Sequence, residues 1–279
     1  MTKIHILRTG SVWIKAAQVR AKGTGLTRTY NGLFGKEWSP KLPIFAYLIE
    51  HREALILVDT GETARAMQKG YFPRWHPYYH VGVKFDVKPS DEIGPQLRLA
   101  GFDAADVQTL VLTHLHTDHA GGLAYFAKAR VLVSAREFKA AQGFAGRAAG
   151  YPNQQWPKTF APELLHLPPL GADLMAASAP LTKDSAVRAI ATPGHTLGHV
   201  AVSVESDGIL FLIAGDVSYL EQTLLEGVPD GLGADPGAQL KTHGLIRDLA
   251  RRRPLVYLNG HDPACPQRLQ ERQTLRVAG

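Results

Sequence analysis

Cysteine is almost absent. The 279 residues contain one, Cys265, so no intrachain disulfide can form, and a reducing compartment is the natural setting. That lone thiol is not expected to ligate a metal. Long apolar runs are missing as well: none approaches the roughly 18 apolar residues of a membrane span. The opening Met1-Thr2-Lys3-Ile4-His5-Ile6-Leu7 lacks the apolar segment of a secretory signal. These absences predict a cytoplasmic protein without a membrane partner. The formal charge is +6, yet the basic residues are scattered, and only Arg251-Arg252-Arg253 forms a run, near the end of a predicted helix where cations favour the dipole. No basic stripe with interleaved aromatics is visible, so nucleic acid is not expected as a partner. A chain of this length buries a sizeable core without staples and reads as one domain over 1–279.

One stretch is dense instead. Thr113-His114-Leu115-His116-Thr117-Asp118-His119-Ala120-Gly121-Gly122 places three imidazoles and a carboxylate directly after the apolar run Leu110-Val111-Leu112. That run reads as a buried strand. A helix would set His114 and His116 on nearly opposite faces, so the cluster is assigned to the loop leaving the strand. Single surface histidines are common and idle, whereas this spacing is a metal-binding signal. Imidazole nitrogen and carboxylate oxygen suit zinc, and would also accept iron, cobalt or manganese.

Elsewhere, residues 4–10 alternate as a strand, and the Gly-, Thr- and Lys-rich segment up to Pro43 reads as a long loop carrying Trp13, Tyr30, Phe34 and Trp38. Residues 45–50 and 54–59 predict a hairpin turning at 51–53. Pro73 and Pro77 break any helix through the ring-rich stretch 71–79, which reads equally as a self-packed surface loop or an apolar substrate wall. A helix is predicted through Ile93, Leu97 and Leu99, a strand at 130–134, a short helix at 135–142 and an irregular excursion over 143–162. Strands follow at 186–191, 200–204, 208–213 and 255–258, with a helix at 238–252. A polar turn, an apolar strand and a terminal Asp occur at 52–59 and again at 206–216, suggesting two similar sheet-plus-helix units packed sheet against sheet.

Partners for the cluster lie at later strand ends. Thr192-Pro193-Gly194-His195 makes a sharp turn presenting His195, while His199, at the start of the next strand, suits a supporting role. Asp216 and His261 each close a strand, in Gly215-Asp216 and Gly260-His261. His114, His116 and His195 would complete one site, Asp118, His119 and His261 a second, with Asp216 between. Two ions about 3.5 to 4 Å apart lower the pKa of a shared water toward neutrality, creating hydroxide that attacks an electrophilic carbonyl or phosphorus.

His114-Leu115-His116-Thr117-Asp118-His119, then Gly194-His195, Gly215-Asp216 and Gly260-His261, in that order and across nearly the whole chain, resemble the metallo-β-lactamase superfamily. Asp59-Thr60-Gly61 is similar to its early Asp-Thr-Gly turn, whose Asp supports the metal loop. The resemblance implies an α/β fold, the four-layer αβ/βα sandwich of two mixed sheets flanked by helices. Asp216 stands where the antibiotic-cleaving members have cysteine, which argues against that activity. The strand pair Leu42-Pro43-Ile44-Phe45-Ala46-Tyr47-Leu48-Ile49 and Val58-Asp59-Thr60-Gly61, the aromatic N-terminal segment and Tyr219 resemble the N-acyl homoserine lactonase branch. There a phenol matching Tyr219 contacts the substrate carbonyl. Thr117 departs from the aromatic residue of one lactonase type.

The expectation is a quorum-quenching lactonase, opening a lactone by attack of a metal-bridging hydroxide. Tyr219 would stabilise the oxyanion and Asp118 would carry the proton to the leaving alkoxide. Its partner is a small lactone or ester, and a homodimer is expected, burying rings of the 71–79 stretch. The competing expectations are an esterase, phosphotriesterase or glyoxalase II-like thioesterase on the same site, or a noncatalytic metal-stabilised binding protein.

Overall fold

In the computed structural model, residues 2–277 are described. The strands β1 (Lys3–Ile14), β2 (Leu42–His51), β3 (Ala54–Val58), β4 (Val83–Asp86), β5 (Thr109–Leu112), β6 (Arg130–Ser134) and β7 (Glu163–Leu165) form one mixed sheet, ordered β4-β1-β2-β3-β5-β6-β7. A second contains β8 (Ser178–Pro180), β9 (Val187–Ala191), β10 (Val200–Ser206), β11 (Ile209–Gly215) and β12 (Leu255–Asn259), ordered β12-β11-β10-β9-β8.

Period-two alternation divides the core among layers. Along β2, Phe45, Tyr47 and Ile49 face the second sheet, where Val202, Val204, Ile213 and Val256 meet them. Ala46 and Leu48 face the other way, toward Ile93 and Leu97 of the helix Ile93–Leu99. On the second sheet, Leu212, Leu255 and Tyr257 turn outward against Ile246 and Leu249 of the helix Pro236–Arg252. The layers therefore run helix, sheet, sheet, helix, the αβ/βα sandwich anticipated from the sequence.

The weak repeat has a structural counterpart. β2 and β3 form an antiparallel hairpin and β3 pairs parallel with β5, just as β10 and β11 form a hairpin and β11 pairs parallel with β12. Parallel neighbours end on the same edge, so the residues after β3 and β5 emerge together, as do those after β11 and β12.

Several local expectations are corrected. The segment up to Pro43 is not one long loop: β1 continues to Ile14, and the helices Ala16–Val19 and Gly25–Phe34 follow. Gly25, Thr27, Thr29 and Gly32 are weak helix formers, and tertiary contacts compensate. A Cβ on Gly32 would meet Leu232 at 2.8 Å, and Arg28 donates to the carbonyls of Asp230 and Gly233. Within 143–162 the helix Gly143–Ala148 interrupts the expected excursion. The metal-motif loop becomes helical at Thr117–Ala120, with His116 as its N-cap, so Asp118 and His119 sit on a helical turn and only His114 and His116 on the loop. In the ring-rich stretch the rings pack on one another, Phe72 stacking on Tyr79 at 4.1 Å, and Tyr78 and Tyr79 also wall a cavity.

Candidate metal centre

The site is assembled from strand ends. β5 is wholly buried and delivers Thr113 and His114 beneath the edge of its sheet, beside Asp59 at the end of β3. Asp59 adopts φ 63°, in the left-handed region, and its carboxylate makes three bonds. Oδ1 accepts from Thr113 N–H, and Oδ2 accepts from Thr113 Oγ1 and from His119 Nδ1, all at 2.8 Å. A carboxylate cannot donate, so Nδ1 of His119 carries a proton toward Asp59 and Nε2 faces inward. Thr113 Oγ1, its hydrogen committed to Asp59, accepts from His114 Nδ1 at 3.0 Å, and His114 Nε2 is oriented the same way. His261 Nδ1 donates to Pro43 O at 2.9 Å, which turns its Nε2 into the site.

The second sheet contributes His195 and Asp216. His195 Nδ1 is held by Asp230 Oδ2 at 2.5 Å, leaving Nε2 3.1 Å from His116 Nδ1 and 3.6 Å from Asp216 Oδ2. Asp216 Oδ1 lies 3.3 Å from both His119 Nε2 and His261 Nε2, while Asp118 Oδ2 lies 3.6 Å from His261 Nε2. Two of the compact donor groups, within 4.8 Å, are His114 with His116 and His195, and Asp118 with His119 and His261. Asp216 stands between them. All seven sequence-derived candidates for ligation are thus brought together in the grouping anticipated.

The donor chemistry fits cations. His114 Nε2, His119 Nε2, His261 Nε2 and Asp216 Oδ1 are buried with no hydrogen-bond partner among the described residues. Burying such groups unpaired is costly, and a divalent ion would satisfy them together. Burial, reinforced by neighbouring imidazoles, holds His114 and His116 well below the usual imidazole range, so their lone pairs stay free. Burial alone would raise the Asp216 carboxyl, but His261 and His119 pull it well below the usual range and it remains charged.

His199 supports rather than ligates, as expected. Burial lowers its pKa to about 3, so it stays neutral, and its Nε2 accepts from Asp216 N–H at 3.1 Å while Nδ1 pairs with Thr192 Oγ1 at 2.8 Å. Cys265 is outside the site, its thiol raised by burial to about 11 and set against Asn259. Three supporting residues escaped the sequence reading. Asp230 orients His195 from a segment without periodic pattern. Glu137, fully buried, accepts from Leu115 N–H at 3.1 Å and from Thr196 Oγ1 at 2.7 Å, tying the loop that carries His114 and His116 to the turn that carries His195. Glu62, also fully buried, accepts from Thr117 Oγ1 at 2.6 Å. Their acidity at buried positions is visible only in three dimensions.

A cavity of about 230 Å³ opens onto His116, Asp118, His195 and Asp216. Tyr219 lines it with its ring 5.3 Å from that of His261. Burial, with Asp216 and Tyr78 nearby, keeps this phenol well above its usual pKa, so the hydroxyl retains its proton. Val12, Ile14, Leu33 and Leu232 line it with apolar side chains, and Gln18, His76, Tyr78 and Tyr79 share the wall.

The sequence profile of the metallo-beta-lactamase superfamily matches residues 40–261. The N-acyl homoserine lactonase of Bacillus thuringiensis is 27% identical over 225 residues, 79% of this chain and 82% of its own length. The N-acyl homoserine lactonase AttM of Azorhizobium caulinodans is 27% identical over 268 residues, 94% of this chain and 93% of its own. Among solved structures, an N-acyl homoserine lactone hydrolase with N-hexanoyl-L-homoserine bound at its catalytic metal centre superposes with a TM-score of 0.73 at 22% identity, covering 99% of this chain and 96% of the other. The dizinc quorum-quenching lactonase AidC superposes at 0.65 with 18% identity, covering 94% and 88%. These structural likenesses bear on the fold.

Proposed function

The chain belongs to the metallo-beta-lactamase superfamily, and from that premise we propose that it is a dinuclear-metal hydrolase opening lactone esters, N-acyl homoserine lactones foremost, and so a quorum-quenching enzyme. The observation that carries the proposal is the set of inward-facing, unpartnered donors around Asp216, beside a partly apolar cavity lined by the protonated phenol of Tyr219. His114, His116 and His195 would hold one cation, Asp118, His119 and His261 the other, and Asp216 both, with zinc the first choice for this donor set. When bound, such a pair supplies Lewis acidity and lowers the pKa of water toward neutrality.

The chain's own residues do the rest. Tyr219 donates from its hydroxyl to the carbonyl oxygen as negative charge develops there. Asp118 is partly buried, its side chain 18% exposed, and it moves the proton to the departing alkoxide at the cavity. Val12, Ile14, Leu33 and Leu232 hold the acyl chain and exclude water from it. The lactonase names of relatives that align over most of their length favour this reading over an aryl esterase, phosphotriesterase or thioesterase on the same centre.

Two measurements test it. Metal analysis of the purified protein is expected to give two ions per chain, and a screen of acyl homoserine lactones, aryl esters, phosphotriesters and S-lactoylglutathione is expected to favour the lactones. Tyr219→Phe should cost about 2.7 to 4 kcal/mol in the barrier, roughly a hundredfold or more in turnover, with metal content unchanged. Unaltered turnover would remove Tyr219 from the mechanism.

A further inference from the structure

The cavity wall holds a polar group that the hydrolysis described above does not use. Gln18, in the helix Ala16–Val19, is only 1% exposed, and its Nε2 donates to Gly32 O and to Gly82 O, each at 2.8 Å. Two carbonyls against one amide nitrogen settle the orientation, because the flipped amide would set Oε1 against two oxygens. Both N–H bonds are then consumed. Oε1 has no donor among the described residues, and Gln18 lines the cavity. Tyr78 lines the same cavity, and its hydroxyl likewise has no partner among the described residues. The two side chains are neighbours: a Cβ on Gly82 would lie 3.0 Å from Tyr78 Cδ2 and 3.4 Å from Gln18 Nε2. An acceptor and a hydroxyl on one cavity, among apolar side chains that include Val12, Ile14, Leu33 and Leu232, complement a secondary amide.

We propose that Gln18 Oε1 and the Tyr78 hydroxyl form an amide-recognition element, and that Gln18 is the residue selecting lactones that carry an acylamino group over plain alkyl lactones. The substrate N–H donates to Gln18 Oε1, and the acyl carbonyl accepts from Tyr78. This rests on the lactonase reading and deepens it. A site built to bond an N–H leaves its own acceptor unpaired when the substrate lacks that group, and so discriminates more sharply than apolar contact does.

The test compares kcat/KM of the metal-loaded, full-length protein for N-hexanoyl homoserine lactone, for the analogue with an ester oxygen in place of the amide N–H, and for γ-decalactone. The parent is expected to prefer the amide over the ester about tenfold, and Gln18→Met to bring that ratio close to one. Gln18→Met also withdraws the donor from two backbone carbonyls, so the parent comparison, which needs no variant, stands by itself if the variant does not fold. Equal efficiency on amide and ester in the parent, with all three lactones hydrolysed, overturns this proposal alone. Failure to hydrolyse any lactone overturns the lactonase reading and this proposal with it.

Discussion

Asp59 governs the tautomer of His119 and anchors Thr113, so one carboxylate orients two of the proposed ligand side chains. Asp59→Asn keeps the shape but puts a donor where an acceptor is needed. The expected loss of metal affinity is about 10- to 100-fold, the usual effect of removing such a partner, read by competition with a chromogenic chelator; unchanged affinity would show that Nδ1 needs no carboxylate. Glu62 offers a pH test. Burial raises its carboxyl from the ordinary 4.5 to about 8, so the folded chain holds a proton there that the unfolded chain releases. Where the native state binds the extra proton, stability falls as pH rises, here between about 4.5 and about 8. In chelator-treated protein, Glu62→Gln should flatten that fall, and the parent-minus-variant difference in urea midpoint at pH 5 and pH 8 isolates it. A difference independent of pH would mean that Glu62 is ionised in the folded state.

At the scale of elements, the turn presenting His195 depends on Gly194. Its φ is +150°, and a Cβ there would come within 2.4 Å of Gln239 Cα in the helix Pro236–Arg252. That contact is backbone and has no way to yield, so Gly194→Ala should displace His195 from His114 and His116. Metal content is expected to fall toward one ion per chain, with the fold retained by circular dichroism; two ions retained would show that the turn tolerates the shift. Strands were legible from alternation: β2, β3, β5, β6, β10 and β12 lie close to where apolar spacing puts them. The helix Gly25–Phe34 was not, because its glycines and threonines read as loop, and the contacts that hold it come from Gln18, Leu232, Asp230 and Gly233.

Across the whole molecule, the proposed cations join the two sheets, since His114 follows β5 and His195 follows β9. Their removal would leave five imidazoles and two carboxylates crowded together, five of the seven buried. A ligand at about 1,000 times its Kd stabilises the native state by roughly 4.1 kcal/mol, so chelation should lower the melting temperature by several degrees and zinc should restore it. A melting temperature indifferent to chelator and zinc would argue against cations at this site.

The sequence by itself determined the identity of all seven proposed ligands and the strands that precede them, because a ligand motif and an apolar alternation are local patterns carried by neighbouring residues. The tertiary structure alone decided which imidazole nitrogen faces inward, that Asp230 and Glu137 brace the loops, and that Gln18 reaches the cavity. Those facts depend on contacts between residues far apart in the chain, 22 positions for Glu137 with Leu115, 64 for Gln18 with Gly82 and 218 for His261 with Pro43, and nothing in the order of a chain states which distant side chains packing will bring together.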